Sequence, residues 1–170
     1  MKKHKFSCKR GGLTIRGNLF QPEGENLPIA ILSHGFMANQ STMKGYAQAA
    51  AELGFAAFTY DFCGGCLWGR SDGKTTDMSV LTEVEDLKAV IAYASSLSFT
   101  DESRIVLIGA SQGGFVSALT AAQMGNKIER LVLFYPALCI PDDARKGQMM
   151  FAKFDPAEIP SVIRCGPMKL

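Results

Sequence analysis

Gly109-Ala110-Ser111-Gln112-Gly113 fits the pattern G-x-S-x-G, a sharp turn that lifts a nucleophilic serine from a strand end onto a helix start. Such a serine attacks an acyl carbonyl when an imidazole takes its proton and an acid orients that imidazole. The chain's two histidines, His4 and His34, both lie upstream of Ser111. The oxyanion formed by the attack needs preorganised N–H donors. One is expected from Gln112, the residue after the serine, where the start of a helix also favours negative charge. The other is expected from the loop after an earlier strand. Ser33-His34-Gly35-Phe36 occupies that place, and the Phe36 N–H is the candidate. The position of His34 in this loop points to local hydrogen bonds or substrate contact rather than to a base.

A second motif, Cys63-Gly64-Gly65-Cys66, has the C-x-x-C spacing of redox and zinc sites. A redox pair opens a helix, which lowers its thiol pKa, whereas the residues after Cys66 read as a loop. A zinc site would need two more ligands, and no second C-x-x-C or histidine pair exists. The five cysteines are odd in number and scattered, which does not suggest a disulfide framework. Loop cysteines, no metal and no cofactor are the expectation.

The elements that must position Ser111 follow from hydrophobic periodicity. Phe6 to Phe20 alternates about a Gly11-Gly12 turn and predicts a hairpin. Ile29-Ala30-Ile31-Leu32 is a strand buried on both faces. Ser41 or Thr42 is the expected cap of a helix carrying Tyr46, Ala50 and Leu53, ended by Gly54. Phe55 to Tyr60 is the next strand. Val80, Val84, Leu87, Ile91 and Ala94 share one helical face. Ile105-Val106-Leu107-Ile108 runs into Ser111, then a helix through Phe115, Val116, Leu119 and Met124. Leu131 to Tyr135 is the last clear strand. The Pro-rich tail from Pro136 predicts irregular chain with one short helix near 143–153. Strands alternating with helices imply a mostly parallel sheet covered on both faces. Both His34-Gly35-Phe36 and Ser111 then fall at the carboxyl ends of strands, where such sheets bind ligands.

At 170 residues the chain suits one domain. Its formal net charge of +2 makes no electrostatic case for nucleic acid or an anionic membrane. The basic start, Met1-Lys2-Lys3-His4-Lys5, is not followed by an apolar stretch, as a signal peptide would be. A soluble cytoplasmic protein without a membrane span is the expectation.

Ser33-His34-Gly35-Phe36, Tyr60-Asp61-Phe62, Ser71-Asp72-Gly73, Asp101-Glu102-Ser103-Arg104-Ile105 and Gly109-Ala110-Ser111-Gln112-Gly113-Gly114 together resemble the α/β-hydrolase superfamily in order and spacing. Within it the chain is most similar to small bacterial feruloyl/cinnamoyl-type esterases, close to the serine aminopeptidase-like hydrolases. The resemblance implies an α/β-hydrolase core at 1–136 with an N-terminal antiparallel hairpin, and the beginning of a cap insertion at 137–170. It implies Ser111 as nucleophile, with Phe36 and Gln112 as oxyanion donors. In such esterases the cap shapes an aromatic acyl pocket and offers an acid to a phenolic hydroxyl. Asp143 stands at that place with Asp142 beside it, although either could be a solvated loop acid. Met149, Met150, Phe151 and Phe154 would line the pocket or pack the cap.

The chain departs from these relatives in two ways. They carry Arg-Gly-His-Gly where this chain has Cys63-Gly64-Gly65-Cys66-Leu67-Trp68. They also continue into two more strands bearing the triad Asp and His. The expectation is therefore a C-terminally truncated serine esterase for a small-molecule ester, nearly inactive alone, whose exposed sheet edge invites self-association. Alternatives are a non-catalytic binding module on the same fold, a redox or metal protein built on Cys63 and Cys66, and a peptidase or acylglycerol lipase of the same superfamily.

Overall fold

The computed structural model describes residues 1–170. Its main sheet has six strands: β1 (Lys2–Arg10), β2 (Leu13–Gln21), β3 (Leu27–Ser33), β4 (Ala56–Tyr60), β5 (Thr100–Ala110) and β6 (Arg130–Phe134). Their spatial order is β1-β2-β4-β3-β5-β6. The four strands from β4 to β6 are parallel, and β2 joins β4 antiparallel so that the hairpin extends the sheet. The crossovers are the helices α1 (Lys44–Glu52), α2 (Val80–Ser95) and α3 (Gln112–Met124). This is the expected mostly parallel α/β-hydrolase sheet with an N-terminal antiparallel hairpin.

The unbroken apolar run of β3 has a simple cause. Ile29 and Ile31 point into a core shared with α2 and α3, while Ala30 and Leu32 point under α1. Both faces are covered, so no alternation survives in the sequence. The α1 side is floored by small residues, including Ala30, Ala47, Ala50, Ala51 and Ala57, which brings helix and sheet close. The other side is filled by Phe6, Phe58, Tyr60, Leu87 and Leu107.

Helix ends correct the sequence expectation in two places. Asn39 does the capping before α1: its side chain accepts from the Ser41 N–H, and a short 3₁₀ turn, Gln40–Met43, precedes the helix. Neither Ser41 nor Thr42 plays that part. In the tail, the short helix is α4 (Ile140–Arg145), earlier than expected. Gly147, at φ 67°, then turns the chain. A Cβ there would stand 1.9 Å from the Phe154 carbonyl, so only glycine fits. The tail is also less irregular than expected. Two small antiparallel ladders follow, β7 (Gln148–Met149) with β8 (Ala152–Lys153), and β9 (Arg164–Cys165) with β10 (Met168–Lys169). Two-residue strands are too short to leave a periodic signature. α2 starts at a reciprocal capping box between Ser79 and Thr82.

β6 is an outer strand, hydrogen-bonded to β5 alone, with Leu131 38% and Val132 39% exposed. Towards the opposite side of the sheet, β2 pairs with β4 from Gly17 onward, and an added Cβ at Gly17 would lie 2.3 Å from the Thr59 carbonyl and 2.4 Å from the Phe6 ring. Gly17→Ala is expected to lower the urea-unfolding midpoint, because overpacking a filled core costs about 1–3 kcal/mol. An unchanged midpoint would mean that the hairpin does not pack as described.

Candidate active site

Ser111 sits between β5 and α3 with φ 52° and ψ −121°, a conformation that costs a non-glycine residue about 1–3 kcal/mol. The surroundings hold it there. Its N–H donates to the Phe134 carbonyl on β6 (3.0 Å), and its own carbonyl accepts from the N–H groups of Gly114, Phe115 and Ala137 at 3.0, 3.2 and 2.9 Å. Three glycines allow the approach. A Cβ on Gly109 would lie 2.4 Å from the Gly113 carbonyl oxygen, and one on Gly113 would lie 2.3 Å from that of His34. A Cβ on Gly35 would lie 3.1 Å from the Ser111 Cβ. The loop after β3 is thereby pressed against the serine.

Phe36 and Gln112 line the same cavity as Ser111. The Gln112 N–H is in the first turn of α3, where no intrahelical acceptor exists, and the Phe36 N–H makes no backbone hydrogen bond. Two unspent donors, one from the loop after β3 and one from the first turn of α3, therefore belong to residues that share a cavity with one hydroxyl-bearing side chain. The cavity holds about 230 Å³. Its walls are mainly apolar, with Met78, Ile140, Met149 and Met150 prominent, and Asp143 is the acid among them.

The expected site residues divide accordingly. Ser111, Phe36, Gln112, Asp143 and Met149 are brought together. His34 is kept out, which corrects the expectation of substrate contact. It is 1% exposed, and its ring packs edge-on against Phe62 with centroids 4.9 Å apart. Nε2 accepts from the Phe62 N–H at 3.3 Å, so Nδ1 carries the proton and donates to the Gly35 carbonyl at 2.8 Å. Both nitrogens are occupied, and burial lowers the ring's pKa. Phe151, in the β7–β8 turn, is also outside the cavity and 79% exposed, whereas its neighbour Met150 lines it. Asp142 is exposed and paired with Arg145 at 2.7 Å.

The two motif cysteines take no part in this cavity. Burial pushes the Cys63 thiol up to about 12 and raises Cys66 as well, so neither is an activated thiolate.

The sequence reading missed the acids behind the site. Glu83 and Asp86 lie on the inner face of α2, both essentially buried. Glu83 accepts a 2.8 Å hydrogen bond from the side-chain amide of Gln112, which anchors a residue that lines the cavity. Asp86 is ion-paired with Arg10 of β1 and accepts from the Cys63 N–H at 2.8 Å. Asp61 accepts from the Gln40 N–H (2.7 Å), the Gln40 amide (2.9 Å) and the Arg70 N–H (2.9 Å), fastening the loop after β4 to the start of α1. A signal existed for the α2 pair: Glu83 and Asp86 fall within the apolar stripe between Val80 and Val90.

Burial raises the Glu83 carboxyl from 4.5 to about 8; Asp86 nearby adds to the rise, and the Gln112 hydrogen bond opposes it. The folded chain then binds this proton more tightly than the unfolded chain. The resulting stability is full below the ordinary glutamate pKa and is lost as pH rises towards about 8. Glu83→Gln keeps the shape and an acceptor for Gln112 while removing this titration. The urea midpoint of the native chain should fall more steeply from pH ~5 to ~8 than that of the variant. Parallel profiles would show that Glu83 is ionised throughout. Asp86, also raised by burial, contributes in the same direction to both proteins.

Comparisons with known proteins agree with this geometry. The family model for serine aminopeptidase, S33, matches residues 24–162. Est1E from Butyrivibrio proteoclasticus, solved with ferulic acid bound, superposes with a TM-score of 0.89 at 30% identity, covering 97% of this chain and 66% of that one. A monoacylglycerol lipase from Mycolicibacterium smegmatis is 28% identical over 144 residues, 84% of this chain and 50% of its own. An uncharacterised 31.7 kDa protein from Escherichia coli, from the traX-finO intergenic region, is 36% identical over 104 residues, 60% of this chain and 35% of its own. The chain thus spans between about a third and a half of the length of these two curated relatives. With a strained serine on a strand–helix turn and a matching model over most of its length, the chain belongs to the serine aminopeptidase (S33) family of α/β hydrolases.

Proposed function

We propose that this chain carries the nucleophile half of a serine esterase acting on carboxylic esters of the feruloyl/cinnamoyl or short acyl type. The observation that carries the reading is the strained Ser111 beside the unspent N–H groups of Phe36 and Gln112, in a small apolar cavity. Ser111 Oγ attacks the ester carbonyl, its proton passes to a base, and the two N–H groups receive the oxyanion. The alkoxide then leaves with a proton, and water hydrolyses the acyl-serine. An apolar cavity of about 230 Å³ suits one planar or short acyl group. Asp143 at its wall suits an acyl group with a hydroxyl donor at its far end. The likeness to Est1E, solved with ferulic acid, supports the same choice. In this reading residues 1–136 form the core, and residues 137–170 begin the cap that closes over the acyl group.

Neither histidine serves as the base. His34 has both nitrogens engaged, and His4 lines a different concavity that shares no residue with the Ser111 cavity. Turnover by these 170 residues should therefore stay near background, since loss of the histidine in such machinery costs about 10⁶ in turnover. We further propose that the exposed β6 edge pairs with a second copy.

Two experiments test these readings. Hydrolysis of p-nitrophenyl acetate should proceed equally with the chain and with Ser111→Ala. Imidazole added to the solution should then open a difference in favour of the native chain, by supplying the missing base. A native rate above that of Ser111→Ala without imidazole would show that the chain holds its own base. No difference at any imidazole concentration would favour a non-catalytic binding module. Sedimentation should show concentration-dependent association that Leu131→Lys/Val132→Lys abolishes, and a monomer at all concentrations would refute pairing through β6.

A further inference from the structure

The largest charged concavity near the hairpin is unrelated to the Ser111 cavity. It lies where β1, β2 and β4 meet the start of α1, holds about 590 Å³, and shares no residue with the site described above. Lys3, Lys5, Lys44 and Arg70 stand around it. All four are exposed, and none belongs to an ion pair. The strand geometry explains the cluster. Lys3 and Lys5 are two apart on β1 and therefore share a face, in register with Phe20 and Asn18 of β2. The Lys3 ammonium stands 5.4 Å from the centre of the Phe20 ring. Lys44 comes from the first turn of α1, and Arg70 from the loop that Asp61 fastens to Gln40. The one carboxylate in the wall is Asp61, 2% exposed, with its oxygens already taken by three N–H donors. In a chain of net charge +2, four unpaired cations have been gathered at one hollow.

We propose that this hollow binds a nucleoside polyphosphate. Cations gathered around a concave surface raise the local concentration of anions. A single negative charge would leave most of these cations unanswered, whereas a di- or triphosphate answers them. The Lys ammoniums act as point charges for phosphate oxygens, and the planar Arg70 guanidinium grips two at once. The nucleoside is argued from Trp68, which is 76% exposed and lines the same hollow. An uncovered indole offers a flat face on which a base stacks. The volume falls in the range of about 300–1,000 Å³ that small-ligand pockets occupy, and a bounded hollow fits a discrete ligand better than a flat lipid surface.

Trp68 is the only tryptophan in the chain, so its emission reports on this site alone. The chain would be titrated with ADP, pyrophosphate, and sulfate at matched ionic strength, in about 0.15 M salt. ADP and pyrophosphate should change the emission saturably, ADP at lower concentration, while sulfate should not. By calorimetry, Lys5→Ala/Lys44→Ala/Arg70→Ala should weaken both ligands at least about tenfold, as loss of phosphate contacts does. Trp68→Ala should weaken ADP but not pyrophosphate, and Ser111→Ala should change neither. The triple variant alters exposed side chains only, and an unchanged urea midpoint would confirm that it folds. Absence of a saturable change, an equal response to sulfate, or an unaffected triple variant would overturn the proposal. Equal affinity for ADP and pyrophosphate would overturn the nucleoside assignment. Binding to phosphatidylglycerol vesicles that pyrophosphate does not displace would replace it with a lipid surface.

Discussion

The site depends on the close approach at Gly113, where an added Cβ would lie 2.3 Å from the His34 carbonyl oxygen. Without a side chain there, the first turn of α3 sits directly against the Ser33 and His34 carbonyls at the end of β3. That contact brings the loop bearing Phe36 to the same place as Ser111. Gly109 and Gly35 serve the same contact from the strand and the loop. The unfavourable backbone at Ser111 is maintained because β6, α3 and the chain at Ala137 all hydrogen-bond to it. Strain persists only where the surroundings over-determine it, and here the surroundings are three separate elements.

Behind this contact lies a set of buried carboxylates that fasten the loops. Asp61 holds the loop after β4 to the start of α1, Asp86 ties α2 to β1 through Arg10, and Glu83 anchors Gln112. Burying such groups is costly unless they are hydrogen-bonded, and each of them is. Of the three, Glu83 acts directly on the Ser111 cavity, because its partner Gln112 lines it. His34 belongs to the same framework, bridging Phe62 and Gly35 as a neutral ring with a fixed tautomer.

The departures from the sequence expectation share a cause. Asn39 was not recognisable as a cap because the chain enters α1 through a 3₁₀ turn, which has no periodicity of its own over four residues. The ladders beyond α4 rest on two residues per strand and on turns at Gly147 and Gly166, too little for pattern reading. Glu83 and Asp86 looked like interruptions of an apolar stripe, when they are members of it. Their partners, Gln112 and Arg10, are far away in the chain.

What the sequence by itself determined is local. Apolar runs and 3.6-residue periodicity placed β3, β4, β5, α2 and α3 nearly where they lie, and the glycine spacing around Ser111 identified the turn. Such signals depend on neighbours within a few residues, so they are legible without a fold. Only the tertiary structure decided which side chains share a cavity. It joined Phe36, Ser111, Gln112, Asp143 and Met149 and left His34 and Phe151 aside. It also gathered Lys3, Lys5, Lys44 and Arg70 around Trp68. These groupings arise from sheet order and crossover direction, which bring together residues dozens of positions apart and leave no trace in any short window of the chain.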